Sequence, residues 1–135
     1  MRLAGWDARL AALIEDARNR PYELGAHDCF RMACRVIEAL TGVDRWPEFA
    51  GYRTRRQTLA LLAAHGASFE AAGDWFFGGA RIDWKQARRG DVAAVATADG
   101  EKHFAVCVGS RMACLAPDGL LFLPMSAALC AWKVG

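Results

Sequence analysis

The chain has 135 residues, 54% of them apolar and 24% charged, with a formal net charge of +2. That length supports one domain over 1–135 with one core, and the near-neutral balance argues against a nucleic-acid scaffold or a membrane-surface protein. No window approaches the roughly 20 apolar residues of a membrane span, and the charged N-terminal stretch MRLAGWDARLAALIEDARNR lacks the apolar core of a signal peptide, so the expectation is a protein made in the cytoplasm that stays soluble.

Trp6, Leu10, Leu13, Ile14 and Ala17 recur at helical spacing and predict a first helix over about 3–18, ended before Pro21. Residues 19–26 read as a loop. Asp28 is a candidate N-cap. It opens a second helix with Cys29, Ala33, Val36, Ile37 and Leu40 on one face and Gly42 just past its end. VDRWPEFAGY is a turn-rich connection. TRRQTLALLAAHG then opens on a Thr-x-x-Gln capping box and runs to His65, where a histidine suits the helix C-terminus. Arg55 and Arg56 sit in that helix's first turn and oppose its dipole. They read as solvated surface or, with Arg53, as a face for an acidic partner. SFEAAGDWFFGG suggests one more short helix.

After ARRGD the period changes. VAAVA, HFAVCVG, RMACLA and LLFLP are short strand-like runs, and Asp99-Gly100 and Asp118-Gly119 mark hairpin turns. Helices followed by strands predict an α+β fold, with N-terminal helices packed on a small C-terminal antiparallel sheet.

The five cysteines, Cys29, Cys34, Cys107, Cys114 and Cys130, form no disulfide framework and contain no CxxC pair. Four read as core filler. Cys29 differs because the first position of a helix favours a thiolate, although the neighbouring Asp28 opposes this. A thiol nucleophile also needs a base within reach. His27 is expected to point into the loop and His65 closes a helix. His103 opens a strand, and from a strand edge facing the second helix it could meet Cys29. Taken alone, such a cysteine is more often core, and such a histidine more often surface.

A metal centre is the weaker use of these groups. His103 and Cys107 share a strand face but lie roughly 13 Å apart at about 3.3 Å per residue, too far for one ion. Only a Cys29, His103 and Cys114 set remains, and the expectation is neither metal nor cofactor. Most of Trp6, Trp46, Trp75, Trp84 and Trp132 are expected in the core, with one or two available to anchor a partner.

PYELGAHDC, RRGDVAAV and HFAVCVG, in that order, resemble the NlpC-type branch of the papain-like cysteine peptidases. The resemblance implies a papain-like NlpC-type fold, Cys29 as nucleophile, His103 as general base and Tyr22 as a phenol helping the oxyanion site. It also implies peptidoglycan stem peptides as substrate. Two departures stand out. Such enzymes usually follow the nucleophile with Ser-Gly, whereas here Phe30-Arg31 follow. They also orient the histidine with a polar residue on the next strand, where RMACLAPD offers only Cys114 or the more distant Asp118, and a thiol is a poor acceptor.

GAHDC, ALTGVD, GYRT, RRGDV, DGLLFLP and AWKV resemble a family of small phage and prophage proteins encoded among tail genes. That resemblance implies tail hub or tip proteins as partners and the virion tail tip as destination. The two expected functions are a murein endopeptidase-like cysteine peptidase of the phage tail tip, and a catalytically weak or inactive papain-like shell that docks on the tail hub or baseplate.

Overall fold

The computed structural model describes residues 1–135. Helices α1 (Trp6–Arg18), α2 (Cys29–Thr41), α3 (Arg55–Ala63) and α4 (Phe69–Phe77) precede strands β1 (Val92–Ala96), β2 (Lys102–Cys107), β3 (Arg111–Ala116), β4 (Gly119–Pro124) and β5 (Ala128–Trp132). The fold is α+β, and every strand pair is antiparallel, in the order β4-β3-β2-β1-β5.

Local chemistry sets the helix limits. Asp28 caps α2, accepting the Arg31 N–H at 2.8 Å, and Gly42 closes it in the left-handed region. Thr54 and Gln57 complete the capping box of α3. The Ser68 hydroxyl accepts the Ala71 N–H and starts α4. α1 begins at Trp6 rather than near residue 3, because Gly5 is left-handed (φ 77°) and breaks the helical path. α3 stops at Ala63, two residues short of His65.

α2 packs on β2 and β3. Phe30, Ala33, Val36 and Leu40 meet Val92, Phe104, Val106 and Leu115 in the main core. Residues Ala93, Val95, Ala105 and Cys114 point to the other side of the sheet, where Ile82, Trp84, Leu123 and Met125 cover them. Both sheet faces are therefore buried, which explains why β1–β3 read as continuous apolar runs rather than alternating ones.

The four expected runs form a β1–β4 meander, and the structure adds β5 beside β1, with Val92 opposite Trp132. The segment Ala-Leu-Cys-Ala-Trp has no β-branched residue, so its strand state comes from tertiary pairing rather than propensity. Trp132 also fixes α4. Its indole N–H donates to Asp74 at 2.8 Å, and its ring lies so close to Gly73 that a Cβ there would sit 2.3 Å away.

The Gly-Asp pair before β1 ties the chain ends together. Buried Asp91 accepts Arg2 Nη2 at 2.9 Å, the Arg88 N–H at 2.9 Å and the Val134 N–H at 3.2 Å. Arg2 also donates to the carbonyls of Val134 (2.9 Å) and Arg89 (2.7 Å). No helix is long and apolar enough to cross a membrane.

Candidate active site

The approach to α2 is built around one carboxylate. Asp28 is 2% exposed. Beyond the cap bond, its Oδ2 accepts the Gly25 N–H at 2.8 Å and the Tyr52 hydroxyl at 2.6 Å. Gly25 is left-handed (φ 85°), and a Cβ there would lie 2.2 Å from the Tyr52 carbonyl oxygen, so only glycine passes this point. Burial, reinforced by the Asp28 carboxylate, pushes the Tyr52 phenol far above its ordinary range and keeps it a donor. Asp28 thus joins the helix start, the preceding loop and Tyr52. Sequence reasoning assigned Tyr52 no role. It stands in GYRT, but nothing in a lone tyrosine before a cap announces a buried partner 24 residues upstream.

Cys29 stands at the first position of α2. Burial pushes its thiol up to about 12, and the Asp28 carboxylate and Cys114 add to this, while hydrogen bonding from the Phe104 backbone pulls the other way. Desolvation outweighs the helix dipole, and the thiol is neutral at pH 7.

His103 lies on β2 opposite Val95 and is 9% exposed. Its place in the strand puts it on the Val95–Ala105 face of the sheet, and not, as expected, on the Phe104–Val106 face that meets α2. Burial lowers its pKa from 6.5, with Asp99 and Glu101 opposing, so the imidazole is also neutral at pH 7. No hydrogen bond joins the ring to Cys29 or to a holding group. Tyr22 is pushed up to about 12, first by burial and then by Asp28, Cys29 and Glu101, and remains a hydroxyl donor.

Cys29, His103 and Tyr22 line one cavity of about 660 Å³. Its other walls come from Leu59 and Leu62 of α3, Phe69 of α4 and the β1–β2 turn at Asp99–Glu101. Arg55 is solvated surface, as expected, and also forms an ion pair with Glu101. The first turn of α3 faces the hairpin tip across the cavity, and the pair bridges the two.

The other sequence candidates lie elsewhere. His27 does not point into the loop: it is 4% exposed, with Nε2 3.4 Å from the Ala17 carbonyl oxygen and Nδ1 accepting Arg35 Nη1 at 3.0 Å. The cause is an antiparallel bridge from Glu23 to His27 that folds the ring inward. His65 stacks on Trp75 at 3.7 Å. Cys114 pairs with Ala105 and is fully buried in the opposite sheet face. Asp118 is exposed in the β3–β4 turn. Pairing of β2 with β3 ends at Ala105, so β3 sets no partner directly across from His103. The carboxylates that act on His103 are Asp99 and Glu101. No three His, Cys, Asp or Glu side chains are grouped to hold a metal ion, the Cys29, His103 and Cys114 set included.

No curated protein matches the chain. One family profile does, over residues 1–134, and the chain accordingly belongs to the family described as Domain of unknown function (DUF6950).

Proposed function

We propose that the chain is an NlpC-like, papain-like cysteine peptidase that cleaves amide bonds of peptidoglycan stem peptides at the phage tail tip. The observation that carries this reading is a single cavity at a helix start whose lining includes Cys29, His103 and Tyr22. Both partners are neutral at pH 7, so proton transfer accompanies attack rather than preceding it. His103 takes the thiol proton as Cys29 Sγ bonds to the amide carbon. Tyr22 donates to the oxyanion. The C–N bond then breaks, His103 protonates the leaving amine, and water hydrolyses the thioester. The substrate and the tail location rest on the sequence resemblance.

The test is digestion of purified muropeptides, read as released amine. Wild type is expected to cleave, and Cys29→Ala and His103→Ala are each expected to lose at least about 100-fold. Because the base must be unprotonated, the rate should rise with pH through a midpoint below 6.5 and then level off. Equal activity in wild type and Cys29→Ala would end the enzymatic reading. A second reading is a papain-like structural part docked on the tail hub. It is favoured by a thiol at about 12 and a histidine that nothing holds. It predicts no cleavage, and retention of Cys29→Ala in assembled tails.

A further inference from the structure

The cavity beside Cys29 has five charged side chains in its lining, Asp28, Arg55, Asp99, Glu101 and Lys102. Each is already matched within the chain. Asp28 accepts from Gly25, Arg31 and Tyr52. Arg55 pairs with Glu101, and Lys102 holds Glu70 at 2.7 Å. Asp99 accepts the Thr97 hydroxyl at 2.5 Å and the Glu101 N–H at 3.0 Å inside its own turn. His103 adds a neutral ring. Both cations are held by carboxylates, while Asp28 and Asp99 take only neutral donors, so an anionic group would meet no free cation and two carboxylates, and its desolvation would go uncompensated. The apolar part of the lining includes Leu24, Leu59, Leu62, Phe69 and Phe104. A cavity of about 660 Å³ also exceeds what a bare scissile amide needs and falls in the range of small-molecule sites.

We infer that the group attached to the scissile carbonyl is uncharged and aliphatic, and that it enters this cavity when Cys29 is acylated. The inference rests on Cys29 being a nucleophile, and it goes beyond that reading, because the acyl groups it names lack the carboxylates that most stem-peptide residues carry. In the step concerned, Cys29 Sγ bonds to the acyl carbon and the bond to the leaving group breaks. The thiol proton passes through His103 to the leaving group or solvent, and water later releases the acid.

The probes are p-nitrophenyl esters of straight-chain acids from two to eight carbons, together with an eight-carbon ester whose far end is a carboxylate. Nitrophenolate release and the intact mass of the Cys29 peptide are followed together, and parallel iodoacetamide labelling of Cys29 reports nucleophilicity without any acyl group. Acylation of Cys29 is expected to quicken by about fourfold per added methylene through the series. The terminal carboxylate should remove the gain. Leu59→Glu, at a wall residue 53% exposed and so tolerant of change, should slow the octanoyl ester at least tenfold and leave the acetyl ester unaltered. A flat or falling chain-length series with a reactive, His103-dependent Cys29 would overturn the aliphatic selection and leave the nucleophile standing. A Cys29 inert to both esters and iodoacetamide would overturn both.

Discussion

Removing the Asp28 carboxylate tests the account of how the site is held. In Asp28→Ala, α2 loses its N-cap, which costs about 1 kcal/mol. The buried Gly25 N–H and Tyr52 hydroxyl lose their acceptor as well, at about 1–3 kcal/mol each. Water entering the vacated space recovers part of this, so the expected loss is about 3–5 kcal/mol. Asp28→Asn separates shape from acceptor chemistry. Its remaining oxygen can keep the cap and its amide can donate to the Tyr52 oxygen, but the amide then faces the Gly25 N–H donor to donor. The expected cost is smaller, about 1–3 kcal/mol. Urea unfolding followed by tryptophan fluorescence measures both, with Tyr52→Phe as the third corner of a double-mutant cycle. A change of under about 0.5 kcal/mol in Asp28→Ala, the range of an ordinary surface substitution, would refute the claim that this carboxylate anchors α2.

Three further outcomes follow from particular contacts. Gly73→Ala should destabilise despite a gain of about 1 kcal/mol in helix propensity, because the added Cβ meets the buried Trp132 ring at 2.3–2.9 Å; a raised melting temperature would contradict this. His27 and His103 both have pKa values below the 6.5 expected of them unfolded. The unfolded chain therefore binds protons first, and stability present above about pH 6.5 should be lost as pH falls through the folded values. Melting scans from pH 7.5 to 5 should show that decline, and His27→Gln should make it shallower. Arg55→Gln breaks an ion pair whose arginine is 69% exposed, so its effect on unfolding free energy should stay under about 1 kcal/mol in a urea titration.

The helices were legible because their signals are local. Asp28, Gly42, Thr54 and Gln57 each act within four residues of where they stand, and each end formed as its chemistry predicts. The four-strand meander was legible for the same reason, through Asp99-Gly100 and Asp118-Gly119. What stayed hidden depends on distant partners. β5 becomes a strand because Val92 lies across from Trp132, a separation no window spans. Tyr52 earns its role from Asp28, and Arg55 finds Glu101 only when α3 and the hairpin are brought together. His27 misled because a short loop can carry a ring inward as readily as outward. The expectation that Cys29 and His103 act together came from the order of motifs in a family resemblance, and the structure shows that both line one cavity. The burial that neutralises both could be seen only in three dimensions.

The Arg2–Asp91–Val134 tie has a mechanical consequence. Val134 and Arg2 share one carboxylate, and a Cβ on Gly135 would lie 3.6 Å from the Met1 carbonyl carbon, so the two ends leave the molecule side by side. Tension applied through them would load the Arg2 bonds one after another, as a zipper opens, rather than shearing a whole strand at once. A tether at both ends would thus yield at low force and peel β5 away from β1, while a tether at one end alone would leave the clamp unloaded.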